Sequence, residues 1–311
     1  MHPPDPVHFC LPGAIHQTRR PFAAWAVACA LFSIAWVTLP VLSADSSPAL
    51  PPAADVPTAS VARTNSLGMR FVRVEPTRLW FSIWETRRQD YAAFQTATGR
   101  RDVEWRSAVF AGKPVGSQPL EPVVCVNWKD ATDFCEWLTR VEIQSGRLAP
   151  TERYRLPTDL EWSRAAGLVN EPGDTPAARS RQMPGYVWGT SWPPPPHAGN
   201  FADSSASALG LPVIEGFGDG AATTALVGSY TPNELGIHDL AGNVWEWCAD
   251  DYDGTGRYRT LRGGAWNGAN PLFLRTSTRA SFPADVRLGI HGFRVVLSEP
   301  GEAPSTRILP P

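Results

Sequence analysis

Gly242-Asn243-Val244-Trp245-Glu246-Trp247 is an isolated aromatic run beyond Gly167, in a stretch of about 70 residues otherwise rich in Gly, Pro, Asn and Asp. Trp245 and Trp247 read as the body of a short strand. Connections inside compact domains are usually a handful of residues, so a loop stretch of this length is abnormal. Hydrogen-bonded ladders cannot hold it, and the chain has too few cysteines for a disulfide scaffold. Bound metal ions are the natural candidate.

On the N-terminal side of this stretch, three helices announce themselves by their caps. Thr86-Arg87-Arg88-Gln89 reads as a capping box ahead of Tyr91 and Phe94, with a stop at Gly99. Asn127 caps a second helix, whose apolar stripe is Ala131, Phe134, Cys135 and Leu138. Thr158-Asp159-Leu160-Glu161 is another box, running to a stop at Gly167. On the C-terminal side, Phe293-Arg294-Val295-Val296-Leu297 is a further short apolar run.

The chain has 311 residues, 43% apolar and 19% charged, with a formal net charge of −2. That length suits one large domain or two small ones. Its 31 prolines, 26 glycines and 13 tryptophans disfavour a helical bundle, and the aromatic content excludes disorder of the whole chain. A near-neutral balance without a basic run argues against nucleic acid, whose phosphates need clustered positive charge.

The first 44 residues read as an export segment. Arg19 and Arg20 precede an uncharged apolar run over residues 22–42, followed by Ser43-Ala44 and a polar Asp45. This is the order of a secretory signal cleaved after Ala44. A run of about 20 residues is also long enough to remain as a membrane anchor. Thr18-Arg19-Arg20-Pro21-Phe22 looks like a twin-arginine motif, the route for proteins exported already folded. All three readings place the domain outside the cytoplasm, in the periplasm or cell envelope, with any membrane contact made through the N-terminal segment. Residues 45–64, rich in Pro and Ala, read as a linker; residues 65–298 form one domain, and 299–311 a disordered tail. Cys125, Cys135 and Cys248 are the cysteines left after the leader, an odd number that leaves at least one unpaired within the chain.

Eight motifs over residues 65–298 resemble, in order, the formylglycine-generating enzyme (sulfatase-modifying factor) family. They are Asn65-Ser66-Leu67-Gly68-Met69 before Phe71-Val72-Arg73-Val74, Pro122-Val123-Val124 with Val126-Asn127-Trp128, Phe134-Cys135-Glu136-Trp137-Leu138, Arg155-Leu156-Pro157-Thr158, Glu161-Trp162, the Gly-Asn-Val-Trp-Glu-Trp run, Arg262-Gly263-Gly264 and Gly292-Phe293-Arg294-Val295. The resemblance implies an α+β fold, a loop-rich variant of the C-type lectin fold with a twisted antiparallel sheet and a few short helices. In it, residues 71–74 would pair with residues 293–297.

The resemblance also implies structural calcium. One ion would be held by the Asn200 side chain, the Phe201 carbonyl, Asp219 and the Ala221 carbonyl. A second would be held by the carbonyls of Asp239, Gly242 and Val244 and the carboxylate of Glu246. Mixed carbonyl and carboxylate oxygens suit calcium rather than a transition metal. The bland alternative makes Asp219 and Glu246 solvated loop carboxylates.

The family's enzyme oxidises a substrate cysteine through two copper-binding thiolates, and soft thiolates are what select Cu(I). Here Gly268 and Phe273 stand in their places, and no cysteine follows Cys248. Copper is therefore not expected, nor formylglycine formation. Cys135 and Cys248 read as core residues. Cys125 is less certain, a Cys125–Cys135 bridge having nothing to support it. In the enzymes the Cys135 position can bridge to a cysteine where Val295 stands here. His197, His238 and His291 are dispersed and read as surface or satisfied histidines.

Two functions remain open. One is a calcium-stabilised binding module whose peptide or glycan ligand meets loops around residues 185–200 and 266–283, on the flat faces of Trp188, Trp192 and Trp266. Trp266, next to the Gly-Gly turn, reads equally as core. The other is a divergent metal-dependent oxidoreductase of the same family, acting on an envelope protein or a small thiol.

Overall fold

The computed structural model describes residues 61–75, 77 and 79–299. The leader, most of the linker and residues 300–311 lie outside these. Strands β1 (Val61–Thr64), β2 (Arg70–Val74) and β3 (Leu79–Ser82) lead to helix α1 (Arg88–Thr98), the hairpin β4 (Val109–Phe110) and β5 (Lys113–Pro114), and helix α2 (Trp128–Gln144). Strand β6 (Arg153–Arg155) and helices α3 (Asp159–Ala165) and α4 (Pro176–Arg179) follow. The chain returns to strands only at β7 (Trp245–Asp251), then β8 (Arg259–Arg262), β9 (Ala280–Phe282), β10 (His291–Gly292) and β11 (Val296–Ser298).

These strands make an antiparallel sheet ordered β1-β2-β3-β11-β6 and a second ordered β10-β7-β8-β9, in which the short β10 runs parallel to β7. The architecture is α+β, as expected. The expected pairing of the first and last motifs is corrected: β2 pairs with β3, and β11 lies between β3 and β6. A short connection keeps β2 and β3 adjacent as a hairpin, so the free edge of β3 is the one open to β11. The linker also gives up its last four residues, since β1 pairs with β2. At the other end, the Glu299 carboxylate accepts from Trp80 Nε1 at 2.9 Å.

Helix α2 starts as expected, with the Asn127 side chain accepting from the Asp130 amide at 2.8 Å and Asp130 reaching back to the Asn127 amide at 3.0 Å. Its stripe of Ala131, Phe134, Cys135 and Leu138 is buried. The Thr158–Glu161 box forms likewise at α3. The first box moves by one residue: Asp90 caps Arg87, binding both its amide and its guanidinium. Thr86 is held extended instead, its amide donating to Phe293 and its carbonyl accepting from Val123. That pins the chain before the helix can begin.

The largest core lies among α1, α2 and strands of both sheets. Phe134 meets Phe94 and Phe293 edge-on at 5.7 and 5.4 Å, a preferred aromatic geometry. Cys135 and Val295 share this core, so the position that bridges in the enzymes is filled by apolar packing. Cys135 and Cys248 are free and buried, and burial pushes both thiols up. Trp266 is fully buried, and its indole N–H donates to the Gly289 carbonyl at 3.1 Å.

A network of buried ions gathers the loop half. Asp159, at the start of α3, pairs with Arg179 at 2.9 Å, Arg262 at 2.5 Å and Arg279 at 2.9 Å. Burial alone would raise the Asp159 pKa, but the arginines hold it down at about 2. Replacing Asp159 with Asn leaves three guanidiniums short of an anion, and it is expected to cost about 3–5 kcal/mol in denaturant unfolding.

His238 is satisfied, with Nδ1 2.8 Å from the Tyr230 carbonyl. His291 corrects the expectation for its class. It is fully buried, neither ring nitrogen has a hydrogen-bond partner among the described residues, and it packs edge-on against Trp247 and Phe282. Burial lowers its pKa to about 3, so the folded protein holds it neutral. Protonation favours the unfolded chain below about pH 6.5, at up to about 1.4 kcal/mol per pH unit. Urea midpoints for wild type and His291→Leu are therefore expected to diverge from pH 7 to pH 5, wild type losing about 2 kcal/mol more.

Candidate functional site

Gly242 and Asn243 bring the two expected metal-ligand sets side by side. The chain at Asn200 bridges in parallel to Gly242, and the Asn243 amide donates to the Asn200 carbonyl at 2.9 Å. Gly242 has φ +83°, and a Cβ there would be driven into the Asn200 carbonyl. Glycine is required at that position on both counts.

Three residues of the first set are joined by hydrogen bonds. Asp219 accepts from the Phe201 amide at 2.7 Å and the Ala221 amide at 2.9 Å, so its carboxylate spans the two residues expected to offer carbonyls. Asp203 holds the Asp219 and Gly220 amides at 2.8 and 3.0 Å and thereby orients this turn. Asn200 is fully buried, with Oδ1 lacking any hydrogen-bond partner among the described residues. Burial raises the Asp219 pKa to about 6, against the pull of its two amide bonds and with some help from Asp203. An orphaned amide oxygen at Asn200 and a half-buried carboxylate at Asp219, which is hydrogen-bonded to the residue after Asn200, are ligand types that fit a hard cation.

The second set converges only in part. Asp239 is buried; Oδ2 accepts from the Gly228 amide at 2.7 Å, while Oδ1 has no partner among the described residues. The Glu246 carboxylate is engaged elsewhere. Arg294 binds it twice, at 2.6 Å to each oxygen, and Trp162 Nε1 donates to it at 2.8 Å. Three donors leave a carboxylate room for about one more contact. Here the protein's own guanidinium supplies one positive charge, half of what a calcium ion would bring.

Glu85 was not legible in the sequence as part of this site. It is fully buried, and it accepts from Asn243 Nδ2 at 2.6 Å and the Val244 amide at 3.2 Å. Burial and the neighbouring Asp239 and Glu246 raise its pKa well above the usual carboxylate range, against Arg294 and the Asn243 hydrogen bond. Glu85, Asp239 and Glu246 thus face one guanidinium, an excess of acid that a divalent cation would relieve. Among the described residues no three Asp, Glu, His or Cys side chains converge into a cluster of their own, so any cation here must take carbonyl and amide oxygens too.

Gly268, expected at the position of the first enzyme thiol, is tightly packed. A Cβ at Gly268 would stand 3.0 Å from Leu274 Cδ2 and 3.1 Å from the Ala265 carbonyl. The Gly268 carbonyl accepts from the Ala202 amide at 3.1 Å. Phe273, at the second position, is 44% exposed beside Leu272 at 46%, and the Arg181 guanidinium lies 5.1 Å over its ring.

Of the three tryptophans expected on the ligand face, Trp266 is absorbed by the core. Tyr186 and Trp188 stack with ring centroids 4.6 Å apart and planes within 1°, and Trp192 lies 5.7 Å from Tyr186. Trp188 rests on Phe201 at 5.2 Å, so the tier stands directly on the residue expected to offer a carbonyl to the first cation. Trp192 is 38% exposed. Tyr186 and Trp188 pack on the buried cluster that contains Leu274, next to Phe273.

A family model described as Sulfatase-modifying factor enzyme 1-like domain matches residues 58–299. The formylglycine-generating enzyme of Streptomyces coelicolor is 31% identical over 213 residues, which cover 62% of this chain and 58% of that protein. The inactive C-alpha-formylglycine-generating enzyme 2 of Mus musculus is 30% identical over 202 residues, 62% of this chain and 54% of the relative. The chain therefore spans little more than half the length of these relatives. Among solved structures, PvdO from Pseudomonas aeruginosa has a TM-score of 0.52 at 21% identity, over 77% of this chain and 98% of that one, which carries the fold alone. With its motifs in order and the match running through residues 58–299, the chain belongs to the sulfatase-modifying factor (formylglycine-generating enzyme) family.

Proposed function

We propose that the protein is a non-catalytic, calcium-stabilised binding module, working outside the cytoplasm after export by its N-terminal segment. The observation that carries the loss of catalysis is the residue pair itself, Gly268 and Phe273 at the two thiol positions. Both members of a copper-binding pair are missing, and a side chain at the first would be tight against Leu274. The relative whose name marks it as inactive is consistent with a family that keeps the fold without the chemistry.

The calcium would be held by Asn200, Phe201, Asp219 and Ala221, where the orphaned Asn200 Oδ1 supports it. Asp239, Gly242 and Val244 would offer oxygens to a second ion, with Glu246 contributing little because Arg294 holds it. Bound calcium would supply the cross-link that the loop half lacks in ladders. The ligand, a glycan or a peptide, would meet the aromatic tier through Trp192 and Trp188, with the exposed Leu272 and Phe273 nearby in the fold. Stacked flat rings offer large apolar area at little cost in side-chain entropy.

Adding calcium to chelator-treated protein at about 100 times its Kd is expected to raise Tm by about 5–10 °C, and Asp219→Ala should abolish the shift. An unmoved melting curve in the wild type would remove calcium from the reading. Elemental analysis of protein from its native compartment should find calcium without stoichiometric iron or copper; either redox metal would favour chemistry over binding. For a glycan or peptide captured on an array, Trp192→Ala is expected to weaken binding at least about fivefold.

A further inference from the structure

Asn243 makes no contact expected of a metal ligand, yet its side chain is buried and fully committed. The Ala225 amide donates to Oδ1 at 3.0 Å, and a backbone N–H can only donate. Nδ2 donates to Glu85 Oε2 at 2.6 Å. These two partners set which end of the amide is which. The oxygen faces Asn200, whose Nδ2 donates to it at 3.0 Å and to the Thr223 carbonyl at 2.9 Å. Both acceptors demand the nitrogen of Asn200, so its oxygen is turned the other way and has no hydrogen-bond partner among the described residues.

We infer that Asn243, held by Glu85 and Ala225, is a positioning residue that fixes the Asn200 amide so that Oδ1 rather than Nδ2 is presented to the cation. The inference rests on the calcium reading of the first ligand set. An amide is a metal ligand only through its oxygen, and a free Asn can rotate either end into a site. Outer partners of this kind orient ligands, and their loss typically weakens metal binding 10–100-fold. The Gly-Asn dipeptide would thereby act twice: glycine admits the Asn200 backbone, and asparagine aligns its side chain. Asn243 itself has φ +58°, a conformation that asparagine tolerates better than most residues.

A double-mutant cycle on the full chain separates orientation from general support. Asn243→Gly keeps the backbone conformation open and deletes the side chain. Asn200→Asp places oxygen at both ends of the ligand, so its orientation no longer matters. By calorimetric titration with calcium chloride, Asn243→Gly is expected to weaken binding 10–100-fold in the wild-type background and less than about threefold in the Asn200→Asp background. Equal losses in the two backgrounds, or no loss in the first, would overturn the positioning role while leaving calcium in place. No binding by the wild type would overturn both readings together. If Asn243→Gly does not fold, the wild type answers by NMR: in isotope-labelled, calcium-saturated protein the Asn200 side-chain amide protons should show NOEs to Thr223 and Asn243. Their absence would overturn the inference.

Discussion

One carboxylate shared by three arginines is the joint on which the loop half of this protein depends. Asp159 opens helix α3, and its partners come from α4, the end of β8 and the segment before β9. Glu171 adds a second anion to Arg279 at 2.5 Å. Buried pairs of this kind add little net stability over apolar packing, because desolvation offsets attraction, but breaking one leaves a stranded charge. Their contribution here is direction. Each guanidinium can be satisfied only where its carboxylate lies, so segments without ladder bonds are held to one arrangement.

The same principle runs through the candidate cation site with the opposite sign. Around Asp159 the arginines are in excess; around Glu85, Asp239 and Glu246 the acids are. Arg294 neutralises Glu246 from the C-terminal segment and also donates to the His238 carbonyl at 3.0 Å, joining that segment to the loop half. A cation resident near Asp239 would complete the balance.

The turn around Gly268 is tightly packed and carries an apolar rim. Leu274 fills the space beside Gly268, Leu272 and Phe273 point to solvent, and the aromatic tier stands on the same buried cluster.

By itself the sequence determined the α+β class, the caps of α2 and α3, the missing thiols and the family, because each is written in local spacing or residue identity. Asn127 with Asp130, and Thr158 with Glu161, lie three residues apart and report their own helix starts. Only the tertiary structure decided that Thr86 stays extended, that Trp266 is core, and that His291 is buried without a partner. It also decided that Glu85 lies beside Asn243, 158 residues away in the chain, and that Arg294 pairs with Glu246. Such outcomes depend on which distant groups share a desolvated space, and no period or motif in a single chain encodes that adjacency.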